Sequence, residues 1–336
     1  MHIPDGYLGP QTYVTLSVAM VPIWTVAAIR VKKTLKTKQV PLMALGAAFS
    51  FVIMMFNVPV LGGSTGHAVG ATLIAIILGP WAATISVSIA LVIQALLFGD
   101  GGITALGANC FNMAFIMPFT GYYLYRLLAG DSEKVNRRVI SAGIAAYVSI
   151  VVGAIFAGVE FGLQPLLAHS ASGAPLYAPY PLKVAVGAMF VEHVVFFGWV
   201  EAFATMGVVA ALARQDSALL AMKPAAKPLR WLWGSFAILV LLTPIGALAK
   251  GTAWGEWSTE QLQARLGDAA PSGLQRLNGI WAGAVPDYAP AFVKTPLVGY
   301  LVAAIIGATL AVGITWGIAR LLARKDDRPS TPHKSA

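Results

Sequence analysis

The chain has 336 residues, 57% of them hydrophobic and only 11% charged, and its mean hydropathy is +0.73. Soluble domains carry about 25% charged residues, so this composition excludes a soluble enzyme, a disordered chain and a nucleic-acid binder. The net charge of +9 must then be read by its placement, and the single cysteine, Cys110, leaves no internal disulfide to form.

In chain order, the sequence opens MHIPDGYLGP, with Pro4 and Asp5 where an apolar run would begin and no basic residue ahead of them. That is not a signal peptide, and Met1 is expected to be the mature N-terminus. A membrane-crossing helix needs about 20 apolar residues, and nine runs approach this: about 11–29, 41–60, 67–79, 82–98, 103–125, 139–163, 182–213, 231–249 and 296–319. Lysine and arginine favour cytoplasmic loops. With the N-terminus outside and nine crossings, 18 of the 23 basic residues fall inside, in the stretches 30–38, 126–138, 214–230 and 320–334. Only Lys183, Lys250, Arg265, Arg276 and Lys294 fall outside. The charge is therefore an orientation signal.

A seam follows the seventh run. Residues 214–230 form a linker containing Pro and Lys, and the last two runs are separated by a 46-residue outer loop, 250–295. Its Trp254, Trp257, Trp281 and Tyr288 suit a membrane–water boundary. The fold class expected is an all-α polytopic membrane protein. A seven-helix domain over 1–213 is followed by the linker, a two-helix module over 231–323 and a polar tail, 324–336, expected to be disordered.

Polar residues inside such a chain are the informative ones. Of five histidines, His333 lies in the tail and His169 in an outer Ser/Gly/Pro-rich loop. His2 is different. The Met1 amine, the His2 amide nitrogen and the His2 imidazole can close a five- and a six-membered chelate ring on one metal, leaving a fourth corner of a square. Planar nitrogen sites suit Ni(II) and Cu(II). His67 lies on the same side by the topology above, after the glycines and hydroxyls of Gly62 to Thr65, so it can supply that corner, with Ser64 and Thr65 expected to orient it. Asp100, Asn109 and Asn112, in FGDGGITALGANCFNM, form a second cluster expected around the metal pocket or in packing. Glu192, His193 and Glu201 form a third in the seventh run, with Glu160 as a candidate partner. The latter cluster lacks HExxH or its reverse, so an intramembrane zinc protease is not indicated. GALAKGTA, Gly246 to Ala253, is not a complete phosphate-binding loop, so ATP-driven work needs another chain. Gly66 with Gly70, and Gly313 with Gly317, have the spacing of close helix contacts.

MHIPDG, GGSTGHAVGATL, QALLFGDGGITALGANCFNM and EHVVFFGWVEAFAT together resemble the NikM/CbiM family, the substrate-binding membrane components of energy-coupling-factor (ECF) cobalt/nickel importers. The resemblance spans about residues 1–213. It implies seven helices around a metal held by Met1, His2 and His67, with Ni²⁺ or Co²⁺ as transported substrate and no organic cofactor. It also implies a transmembrane scaffold (T component) and two ATPase subunits as partners, in a bacterial inner membrane. Residues 250–323 resemble a NikN-type module, whose Pro-Asp-Gly-Leu-Glu signature reads here Pro271-Ser272-Gly273-Leu274-Gln275, both acids being replaced. A stand-alone secondary transporter would instead show broken helices with charges at the midplane, and a membrane metalloenzyme an open coordination position with a base beside it. The donors serve nickel and cobalt alike; the planar amide-nitrogen geometry favours Ni²⁺.

Overall fold

The computed structural model describes residues 1–60, 64–222, 230–249, 252–266, 270–277 and 279–323. Gly62, Gly63, linker residues 223–229 (with Lys223 and Lys227), Lys250 and the tail 324–336 lie outside the described residues.

The molecule is a bundle of helices: α1 (Pro10–Thr34), α2 (Val40–Met54), α3 (Ala71–Leu78), α4 (Pro80–Phe98), α5 (106–129), α6 (Val135–Leu167), α7 (Leu182–Gln215) and α8 (Arg230–Leu248), then two short helices, α9 (Thr259–Leu266) and α10 (Ser272–Leu277), and α11 (Pro296–Leu322). Seven of these are long and apolar enough to cross a membrane among the described residues. The third predicted run differs. Only Ala71–Leu78 is helical, and eight residues span about 12 Å of a ~30 Å hydrocarbon layer. Residues 64–70, which take in the start of that run, are non-helical, with Thr65–Gly66 (β2) paired antiparallel to Val58–Pro59 (β1). Non-helical backbone at such a depth is tolerated only where protein covers it, and Ser64 to Gly70 are all buried.

The chain start is inserted in the same way. Residues 1–9 form no helix, yet all but Pro4 are buried, and Ile3, Tyr7 and Leu8 sit in the main core. Burying three such side chains contributes on the order of 1.5–3 kcal/mol each, and the main chain finds partners within the bundle. Asn109 accepts from Ile3 N and donates to Ile3 O, Gly102 N donates to Ile3 O, Ala178 N donates to Tyr7 O, and Gly9 N donates to Gln164 Oε1. Pro10 then opens α1, where its fixed φ suits the first helical position and no amide is lost.

Three helices widen into π-helical turns: Gln94–Phe98 in α4, Cys110–Ile116 in α5 and His193–Phe197 in α7. Such turns re-aim side chains and gather at functional sites. The segments predicted outside meet at one end of the bundle: the chain start, 64–70, 99–104, 176–180 and 252–288 touch one another there. Thr37–Gln39, Gly79, Tyr122 and 219–222 meet at the other. The C-terminal helices are part of the same body. α11 packs along α2, where Tyr300 Oη donates to Met55 O (2.7 Å) and Gly307 leaves room for the Phe51 ring.

Gly66 with Gly70 is not a spaced helix contact. Gly66 is in β2, and Gly70 precedes α3 with φ 73°. A Cβ at Gly313 or Gly317 would meet nothing within 4 Å in the described chain, so this pair makes no close helix contact within it.

Candidate metal site

His2 and His67 meet. His67 Nε2 lies 3.1 Å from His2 Nδ1, and both rings are buried. Their protons can be assigned from their partners. Gln94 donates its amide hydrogens to Tyr288 Oη (3.1 Å) and Asp100 Oδ2 (3.4 Å), which turns its carbonyl oxygen to His2 Nε2 at 3.3 Å. Nε2 of His2 therefore carries the proton and Nδ1 keeps its lone pair. His67 Nδ1–H donates to Ala68 O (3.1 Å), which leaves the lone pair on its Nε2. Two lone pairs thus face each other, and Asp100 Oδ1 is 3.2 Å from His2 Nδ1. Burial, with help from the nearby N-terminal charge, lowers the His2 pKa to about 3, so the ring does not supply the missing proton at neutral pH. His2 Nδ1, His67 Nε2 and Asp100 Oδ1 thus approach one another as three acceptors with no hydrogen between them.

The Met1 amine is buried, 3.5 Å from Oε1 of Glu256, which lines the same cavity as the two imidazoles. Burial raises the Glu256 carboxyl to about 7 against the pull of the amine. A cavity of about 380 Å³ adjoins the imidazoles, lined by His2, His67, Asp100, Glu256, Asp287 and Tyr288 among others. Among the described residues, no three His, Cys, Asp or Glu side chains gather as a side-chain metal cage. A four-donor site here draws on main-chain nitrogen.

The support comes from the 99–104 turn. Asp5 accepts from Ile103 N (3.1 Å), Thr104 N (2.8 Å) and the Thr104 hydroxyl. Gly101, with φ 81°, lies against His2 and Asn109, where a side chain would meet both the strain of that φ and their atoms.

The remaining expected residues divide. Asp100 and Asn109 are at the site. Asn112 is not: its amide donates to Glu160 Oε2 (2.9 Å) within the helix core. Ser64 does not orient His67; its hydroxyl accepts from Trp254 N (3.0 Å), and Ala68 O holds the imidazole instead. Thr65 lines the cavity. Glu160 pairs with Asn112 and not with the α7 cluster. Within that cluster Glu192 reaches Ser64, His193 Nδ1 donates to Met189 O (2.7 Å), and Glu201 accepts from main-chain amides. His169 is exposed. Asp5 and Gln94 lie within the quoted motifs MHIPDG and QALLFGDGG but are not among the residues expected at the site, and Glu256 lies in none of them. Tyr288, expected at the membrane boundary, is buried and donates to Asp100 Oδ2 (2.5 Å). Trp254 and Trp257 pack with Tyr180 over Tyr7 and Phe161, above the chain start. The outer loop of the C-terminal part thus roofs the site.

The profile of a family described as a cobalt uptake substrate-specific transmembrane region, CbiM, matches residues 2–219, and that of the PDGLE domain matches 229–324. The chain is 47% identical to a fused nickel transport protein, NikMN, of Rhodobacter capsulatus, over 96% of this chain and 99% of that one. It is 44% identical to a probable fused nickel transport protein, LarMN, of Lactiplantibacillus plantarum, over 95% and 97%. The crystal structure of a truncated transition metal transporter superposes with a TM-score of 0.60 at 56% identity, covering 64% of this chain and 99% of that one. The chain is a multi-pass helical membrane protein that belongs to the CbiM family, with a PDGLE domain following in the same polypeptide.

Proposed function

We propose that the protein captures nickel or cobalt ions for an ATP-driven importer of the ECF type in the cytoplasmic membrane. The N-terminus faces outside, and residues 1–213 form the metal-binding part. The ion is cargo: the Met1 amine, the His2 amide nitrogen, His2 Nδ1 and His67 Nε2 take it in a plane. The observation that carries this reading is the pair of facing lone pairs at 3.1 Å. With metal–nitrogen bonds of about 2.0–2.1 Å, neighbouring corners of a square lie about 2.9 Å apart, so the two rings need move only a few tenths of an ångström. Displacing the amide proton demands a strongly binding ion, which favours Ni²⁺ over Co²⁺, in keeping with the names of the relatives above.

The chain itself performs no bond chemistry. A transmembrane scaffold and two ATPase subunits would supply the work, since GALAKGTA is no phosphate-binding loop. The nine apolar runs of the sequence, with 18 of its 23 basic residues in the stretches that this count puts inside, support the orientation.

The test is Ni²⁺ titration of the purified full chain and of His67→Ala. The variant is expected to lose at least about 100-fold in affinity, the upper end of the 10–100-fold typical of outer-shell partners. Equal affinity would refute the site. Competition between Ni²⁺ and Co²⁺ on the wild type ranks the two ions.

A further inference from the structure

Glu201 is wholly buried on α7 and its carboxylate bonds to main chain alone. Val69 N donates to Oε2 (2.7 Å), and Gly70 N donates to Oε1 (3.0 Å) and Oε2 (3.1 Å). These are the amides that open α3, at the helix end whose amides lack partners and favour a negative charge. One turn earlier on the same helix face, Phe197 fills the space left by Gly66, where a side chain would collide with its ring. His67 lies between the two anchors. A single face of α7 therefore grips the segment 66–70 at both ends.

The other donors are supported differently. Met1 and His2 hang on Ile3 and Asp5, which are bonded to Gly102, Asn109, Ile103 and Thr104. We propose that Glu201 is a positioning residue for the fourth metal donor, fixing the main chain after His67 so that Nε2 stays in the plane set by the chain start. The inference rests on the metal site proposed above. It divides the four nitrogens between two supports: three on the 99–109 segment and one on α7. Drawing α7 away withdraws His67 and leaves the ion on three donors, which is a route to release.

The experiment measures Ni²⁺ affinity and chelator-driven release of the full chain in four variants: Glu201→Ala, Glu201→Gln, His67→Ala and Glu160→Gln. The last replaces the carboxyl of a buried glutamate whose hydrogen-bond partner is Asn112 and not a residue of 66–70. Glu201→Ala is expected to bind about 10–100-fold more weakly, with the loss in faster release and an association rate within about threefold of wild type. Glu201→Gln, which folds with the same shape and keeps one carbonyl acceptor, is expected to recover part of the loss. Glu160→Gln should bind as wild type. The inference is overturned if both Glu201 variants bind as wild type while His67→Ala does not, or if Glu160→Gln matches Glu201→Ala. Wild-type affinity in His67→Ala would instead overturn the metal site itself.

Discussion

Gly102→Ala is expected to weaken metal binding although it touches no donor. Gly102 faces the chain start: its N–H donates to Ile3 O (2.8 Å), and a Cβ there would lie 2.6 Å from Asp5 Oδ1 and 2.7 Å from Pro4 C. All of these neighbours are main-chain atoms or belong to a carboxylate held by three hydrogen bonds, so no flexible tip can swing away. Ordinary contact begins near 3.4 Å, which requires the Pro4–Asp5 backbone to retreat by at least about 0.7 Å, since Asp5 N lies closer than Pro4 C. Metal–nitrogen bonds tolerate about 0.2 Å, and His2 is only two residues before Pro4. Overpacking of this kind costs about 1–3 kcal/mol. If binding restores the native position, the whole cost falls on affinity, a loss of about 5- to 150-fold. Calorimetric Ni²⁺ titration measures it. Gly187→Ala is the control, because that glycine meets nothing within 4 Å. Equal affinities for the two variants would refute the claim that the 99–104 turn seats the donors.

Two other outcomes follow from the same geometry. A Gly-Ser extension ahead of Met1 is expected to abolish Ni²⁺ binding, because it converts the buried amine into an amide, strands Glu256 and adds about 7 Å of chain. A tag after Ala336 should leave binding intact, and equal affinity for the two tagged proteins would exclude the amine as donor. Binding is also expected to release protons, at least the one that the His2 amide gives up to the metal, so affinity rises with pH. His2, with its pKa lowered to about 3, contributes none. Calorimetry in buffers of different ionisation enthalpy counts them; a value near zero would mean that imidazoles alone bind the ion.

Sequence by itself determined the solvent and the helical fold class, and it brought forward the donors proposed above. Apolar runs of about 20 residues are a local property, and the side preference of lysine and arginine is additive along the chain. The chelate of Met1 and His2 is likewise local, since adjacent atoms close its rings. His67 was legible only through topology, which put residues 2 and 67 on one side. The tertiary structure decided the rest. It seated nine non-helical residues inside the bundle, shortened the third run to Ala71–Leu78, and carried Tyr288 from an expected boundary position to a bond with Asp100. It also gave Asn112 to Glu160 and Glu201 to the amides of Val69 and Gly70. No periodicity encodes these, because each pairs groups 48 to 188 positions apart. Their choice follows from a nonlocal rule: in a membrane, every buried polar atom must find its partner within the protein.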